Sequence, residues 1–506
     1  LVGRRFLKGL PPTLGLSQPR RSTNKPKGRR EADRIDPSPL NRTTTMAVTT
    51  TPTPAISRSP KGIHWAWIIL AILAVAQIVG QSISMAAGIM VAPLNDPDGG
   101  FGWNMGLIGA ALAIYYLCGA LVSPITGILG DRYGARPMML ACGILYAVSM
   151  VLIGTVTELW QFFLYFGVLL SVTQSLAMVP ILASVNGWFK QRLGLATGLL
   201  WASGGVGAAA VAPGIAGLLD AFGWQTTFTV IGLGGGGTLA VLTFFFHSKP
   251  ADLNTTAFGS IAGDPPEIFR GKEIERLRLK VFNKAMRRTR AFWNLPTIHG
   301  LGCAGHGIVL IYSIPLAIEQ GVSLGAASFI LALISVFSIV GRFIAPILAE
   351  RMGAKPVMMT ALFVQGITVL VLFWAHDAYA FYLFAILFGL GFGGEMSAYL
   401  VVNRQYFGSG PLATLYGFEM MGALTGHATA TVLGGLAIYA TGSFNPALAM
   451  SMFFSFTGVL VIYSMESGKK ILIPDWESGL PPEARTTQQI ADQATRAALI
   501  EQMDSD

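Results

Sequence analysis

Arg342, Glu395, Glu419, His306 and His427 are the residues of this chain best able to do chemistry where water is scarce. Each lies inside a stretch of about twenty or more mostly apolar residues. An ionisable group in such a stretch is costly, and its presence points to binding or proton handling. A guanidinium stays charged and grips a carboxylate through two parallel hydrogen bonds, so Arg342 is the candidate anchor for a small organic anion. Glu395 and Glu419 are the candidates for carrying a coupling proton. His306 and His427 can bind a polar group or titrate. The competing readings are structural: Arg342 could pair permanently with Glu395 or cap backbone carbonyls, Glu395 could pair with Arg404, and a histidine among apolar residues is often a hydrogen-bonded packing residue.

Gln77 and Gln81 stand one helical turn apart and so share a face. Tyr115, Gln174 and Tyr312 complete the candidate binding residues, and Tyr116 and Trp201 complete the central list of polar and aromatic groups. Cys118, Cys142 and Cys303 all fall in apolar segments, without disulfide or metal-ligand spacing, and read as small packing residues. The expectation is therefore no metal and no cofactor. No nucleophile–base pair or phosphate-binding loop stands out, which argues against an enzyme or an ATP-driven pump.

The elements that position these residues are announced by a near-repeat. Residues 128–139 read Ile-Leu-Gly-Asp-Arg-Tyr-Gly-Ala-Arg-Pro-Met-Met, and 347–358 read Ile-Leu-Ala-Glu-Arg-Met-Gly-Ala-Lys-Pro-Val-Met. Asp131, Arg132, Gly134 and Arg136 match Glu350, Arg351, Gly353 and Lys355. The acid closes one helix, the glycine permits a tight turn, and Pro137 or Pro356 helps start the next helix. A carboxylate there can sit at the positive N-terminal end of a neighbouring helix, so the repeat is expected to gate. A second echo pairs Asn186-Gly-Trp-Phe189 and Leu195-Ala-Thr197 with Asn403-Arg-Gln-Tyr-Phe407 and Leu412-Ala-Thr414.

Composition sets the class. Fifty-two per cent of the residues are hydrophobic and only 12% charged, which excludes a soluble domain. About twelve spans are expected near 66–93, 105–129, 137–157, 159–187, 194–219, 225–247, 294–318, 325–349, 356–375, 378–402, 412–440 and 444–466. Every second loop carries Lys or Arg and the loops between carry acids. By the positive-inside rule both termini and the central loop are cytoplasmic.

The net charge of +9 is mostly a terminal feature, because residues 1–45 hold eleven basic and three acidic residues. That stretch reads as disordered or as foreign to the natural product, and no apolar run resembling a secretion signal precedes residue 66. The expected organisation is a basic segment over 1–61, a six-helix bundle over 62–247, and a linker over 248–293. A second bundle follows over 294–466, then a cytoplasmic tail over 467–506 that is expected to be helical. Within the linker, residues 270–290 hold nine Lys/Arg. There Ile274, Leu277, Val281 and Phe282 share a face, which predicts a basic amphipathic helix on the inner leaflet.

The first hinge, Gly127-x-x-x-Asp131-Arg132-x-Gly134-x-Arg136, resembles the signature loop of the major facilitator superfamily. The second resembles that family's weaker echo. The resemblance covers about residues 62–466. It implies an all-α membrane protein with twelve transmembrane helices in two pseudo-symmetric six-helix bundles, working by alternating access, with spans one, four, seven and ten lining the cavity. Trp188-Phe-Lys-Gln-Arg-Leu-Gly-Leu-Ala-Thr-Gly198 resembles monocarboxylate-porter-like and oxalate/formate-type members. Monocarboxylate porters carry an acid one turn before the arginine of span eight, where this chain has Ser338. The oxalate/formate arrangement adds a lysine in span eleven that this chain lacks. In the fifth span, Ala212 before Pro213 departs from the motif of drug antiporters.

Taken together these residues imply a secondary transporter of the plasma (inner) membrane for a small organic anion, such as a monocarboxylate, by proton symport or anion exchange. The lipid bilayer and a proton or counter-anion are its expected partners, with no nucleic acid, and it is expected to be a monomer. A drug or metabolite exporter and a non-transporting membrane sensor are the alternatives.

Overall fold

A backbone crossing lipid must satisfy its own hydrogen bonds, and an apolar run of this length does so as a helix. The computed structural model is accordingly built of helices joined by loops, with one isolated β-bridge between Phe189 and Phe258, over its described residues, which are 62–95, 101–261, 271–408, 410–468 and 471–486. The basic segment 1–61 and the tail beyond 486 lie outside them.

The first six spans are α1 (Trp65–Asn95), α2 (Met105–Tyr133), α3 (Ala135–Gly154), α4 (Leu159–Trp188), α5 (193–222) and α6 (224–245). The last two would be one continuous helix but for Gly223, whose φ of 73° breaks the winding. Part of α4, Phe163–Leu170, is wound as a π-helix. A linker helix α7 (Lys272–Met286) follows. The second half holds α8 (Arg290–Glu319), α9 (Leu324–Met352), α10 (Ala354–Phe373), α11 (Ala378–Phe407), α12 (Ala413–Thr441) and α13 (Asn445–Tyr463). Without α7 this makes the expected twelve spans in two groups of six. Local chemistry sets the ends: the Ser323 hydroxyl caps α9 and the Asp377 carboxylate caps α11. Gly134 and Gly353 adopt φ of 83° and 98° at the hinges, a conformation that only glycine takes without strain.

Small residues let the helices approach closely. Inside the second half, Gly422 and Gly426 of α12 press on the α8 backbone at Pro296 and Gly300, and Gly393 of α11 presses on Ser338 of α9. The two halves meet through α2 against α12 and α5 against α9. At the first seam a Cβ added to Gly127 would lie 3.1 Å from the Cα of Thr414, and at the second one added to Gly198 would lie 3.3 Å from the Cα of Phe343. Both contacts sit at the end of the bundle that carries the hinges, here termed the hinge face.

The linker differs from expectation in one respect. Helix α7 forms, and the end of its apolar face at Val281, Phe282 and Met286 packs on the tail and core while Leu277 stays exposed. Phe282 and Met286 are fully buried, and the Phe282 ring meets Trp476 edge-on at 5.0 Å. Arg278 bonds Glu477 at 2.6 Å, donates to the Ala484 carbonyl and lies over the Trp476 ring. The tail covers this end of the face through Trp476 and Gly479. Over 471–486 the tail is not an α-helix. It forms two short 3-10 turns, Trp476–Gly479 and Pro482–Ala484, because Gly479, Pro481 and Pro482 break a longer winding.

Candidate functional site

The hinges place their acids across the seam between halves. The Asp131 carboxylate, at the end of α2, accepts hydrogen bonds from the backbone N–H groups of Ala413 and Thr414 at 3.0 and 2.7 Å. It also accepts one from the Thr414 hydroxyl at 2.6 Å. Glu350, at the end of α9, accepts from the N–H groups of Leu193 and Gly194 at 3.0 and 2.8 Å. Ala413 and Thr414 open α12, and Leu193 and Gly194 open α5. Each acid therefore neutralises otherwise unpaired donors at the positive end of a helix in the opposite half. Arg404 adds a third tie, donating to the Asn186 carbonyl at 2.9 Å.

The hinge bases stay at home. The Arg136 side chain donates to the Thr243 carbonyl at 3.0 Å, near the end of α6, and its backbone N–H donates to the Ser248 hydroxyl. Lys355 donates to the Tyr463 carbonyl at 2.9 Å and to that of Met465, at the end of α13. Arg132 lies over the Tyr133 ring, and Arg351 lines a surface cleft with Glu350 and Arg192. The acid of each hinge holds the other half, while the cation five residues on, past the hinge glycine, holds its own.

The interior group gathers in the second half. Arg342, on α9, lays its guanidinium 5.4 Å from the centroid of the Phe392 ring. Its Nε is buried without a hydrogen-bond partner, and among the described residues no carboxylate pairs with it. His306, fully buried on α8, sits 4.5 Å from the same ring and 5.2 Å from the His427 ring of α12. His427 in turn stacks on Tyr116 of α2 at 5.3 Å, so this chain of rings crosses from one half to the other.

The buried carboxylates lie nearby but apart from Arg342. Glu395 accepts from the Tyr399 hydroxyl at 2.6 Å, and its second oxygen has no partner among the described residues. Tyr399 stacks on His299 at 4.1 Å. Glu419 accepts from Asn403 at 3.0 Å and likewise keeps one free oxygen. The permanent Arg342–Glu395 pair weighed above does not form, and Arg404, the other partner considered for Glu395, is spent on Asn186.

The remaining candidates divide. Gln77 and Gln174 are buried, each with one side-chain polar atom unpartnered. The side chain of Gln81 lies outside the described residues. Tyr312 joins α8 to α12 through a bond to the Thr431 carbonyl at 3.4 Å. Tyr115 packs on Phe166 inside the first half's core, whereas its neighbour Tyr116 faces His427. Phe392, Tyr399, Asn403 and Cys303 were not among the site residues expected from the sequence. Only Tyr399 carried a usable signal: it follows Glu395 by four residues and so lies on its face.

A sequence profile of the Major Facilitator Superfamily matches residues 69–317 and again 302–498. Human monocarboxylate transporter 11 is 24% identical over 309 residues, covering 60% of this chain and 60% of the relative. Rat monocarboxylate transporter 3 is 26% identical over 342 residues, covering 65% of each. The chain thus spans less than two thirds of the length of these relatives. Among solved structures, the proton:xylose symporter XylE, bound to 6-bromo-6-deoxy-D-glucose, superposes with a TM-score of 0.63 at 12% identity. The match covers 82% of this chain and 98% of that one, a likeness of fold.

Proposed function

Because the chain belongs to the Major Facilitator Superfamily, we propose that it is a secondary active transporter that carries a small organic anion by alternating access. The hinge face is cytoplasmic, a reading supported by the distribution of Lys and Arg among the loops, and the membrane is the plasma membrane. The two acid latches hold that face shut. The conformation described here is then the outward-facing or occluded one, and transport breaks both latches when the halves rock.

One observation carries the substrate class. Arg342 brings a guanidinium into the membrane interior with a buried, unpartnered Nε and no carboxylate beside it among the described residues. A cation so placed is stabilised when an anion arrives, and a carboxylate fits its planar fork. The similarity to monocarboxylate transporters agrees with a monocarboxylate. Glu395 and Glu419, each with one free oxygen, are the groups that take up the coupling proton.

The test is uptake of labelled monocarboxylates into proteoliposomes, with an imposed pH gradient, by the intact protein and by Arg342→Ala and Arg342→Lys. Loss of saturable uptake in the alanine variant, with partial recovery by lysine, is the expected result. Uptake undiminished in Arg342→Ala would remove the arginine from the mechanism and with it the argument for an anion.

A further inference from the structure

Cys303 and His306 stand three residues apart on α8 and so share one face of that helix. Helix α12 brings His427 to the same point. The thiol sulfur and one nitrogen from each ring lie within 4.8 Å of one another. Cys303 and His306 are fully buried, whereas His427 is half-buried and lies against Tyr116. Neither ring nitrogen of His306 makes a well-formed hydrogen bond among the described residues, and Gln365 is the side chain that approaches the ring. Two buried and unsatisfied polar atoms on one ring are costly, and such a group calls for a ligand.

We infer that Cys303, His306 and His427 form a binding site for a borderline-soft divalent cation of the Zn2+ class. One thiolate and two imidazoles from two helices are a recurrent donor set for such an ion, with a fourth position left for water or an anion. Zinc bonds of about 2.0–2.3 Å place donor atoms roughly 3.5 Å apart, so side-chain rotation alone can close the triangle. Binding converts the Cys303 thiol to a thiolate: the sulfur–metal bond forms from the sulfur lone pair as the S–H proton leaves to solvent. Gln365, whose Oε1 is buried and unpartnered, packs beside Gly305 and can accept a ring N–H that faces away from the metal. A bound ion would tie α8 to α12 beside the Tyr116–His427 contact that spans the halves. The site does not depend on what the protein carries.

The experiment uses the full purified chain and Zn2+ alone, with Co2+ as a spectroscopic stand-in. One equivalent of metal per chain is expected, with a thiolate-to-cobalt charge-transfer band that disappears in Cys303→Ser. His427→Gln should weaken binding at least tenfold. Zn2+ should slow alkylation of Cys303 by N-ethylmaleimide. Cys118→Ser, remote from the cluster, should bind as the parent does, and thermal unfolding of each variant shows that lost binding is not lost folding. Sub-stoichiometric metal in the parent chain, or an unchanged cobalt band in Cys303→Ser, would overturn the assignment.

Discussion

At the first hinge Asp131 takes three hydrogen bonds from the start of α12, one of them from the Thr414 hydroxyl. At the second, Glu350 takes two from the start of α5, both from the backbone. The hydroxyl that echoes Thr414 in the other half, Thr197, is buried without a partner. Thr414 also accepts from Asn283 of α7 at 3.3 Å. So the first latch is shorter in reach, has more donors and is wired to the linker, while the second rests on helix polarity and backbone N–H groups alone. Duplication supplied one device twice, and the copies have since taken unequal shares of the work.

The largest effect is expected from Asp131→Ala. Losing three hydrogen bonds to a charged acceptor should favour the hinge-open arrangement by about 3 kcal/mol, on the order of a hundredfold. Spin labels at Tyr133 and Met352, both exposed at the hinge face, would report this as a longer inter-label distance. An unchanged distance distribution would deny the latch its role. Glu350→Gln keeps an acceptor but loses the charge, and should shift the same equilibrium by about 1 kcal/mol, roughly fivefold. If it matched or exceeded the effect of Asp131→Ala, the ranking of the two latches would be reversed.

Asn283→Ala is expected to cost about 0.5 kcal/mol and to act through the first latch only. Its effect should largely vanish in an Asp131→Ala background and add to that of Glu350→Gln. Equal additivity in both would detach α7 from the gate.

The smallest effect concerns the tail. Burial by itself would raise the Glu477 pKa, but hydrogen bonds from Thr486 and the nearby Arg278 outweigh it and leave the value below that of an ordinary glutamate. A carboxylate depressed on folding stabilises at pH above its unfolded value, and that contribution fades as pH falls through the lower folded value. Hydrogen exchange over 471–486 should therefore be flat from pH 7 down to about 5 once corrected for intrinsic rates. It should rise only below about pH 4, and Glu477→Gln should raise it between pH 7 and 5 and converge with the parent at lower pH. A rise near pH 6 would point to a different group.

Much of this was legible beforehand, and the reasons are specific. Hydropathy and glycine placement marked the twelve spans because lipid permits so few alternatives. The hinge acids could be assigned to a helix N-terminus from charge alone. Which helix could not be read, since the partners lie far along the chain. Tyr115 and Tyr116 show a finer limit: adjacent residues point about 100° apart on a helix, and two tyrosines side by side give no hint of which one faces the seam. The cover over α7 was invisible because an apolar face reads the same whether lipid or a tail will hide it.

The latches grip backbone N–H groups, which nearly every residue carries. Selection on the openings of α5 and α12 is thereby only partly released from side-chain identity: Leu193-Gly194 and Ala413-Thr414 share no residue yet serve the same end, while the Thr414 hydroxyl joins its latch and Gly194 has no room for a Cβ against the Pro346 carbonyl. At the first helical positions, Leu193 and Ala413, the substitution such a design cannot absorb is proline. It is welcome at the first position of a helix, so it would leave the fold intact and silently withdraw a donor. Drift at Leu193 and Ala413 should therefore be closed to that imino acid, while Gly194 and Thr414 are held by close packing and by the hydroxyl.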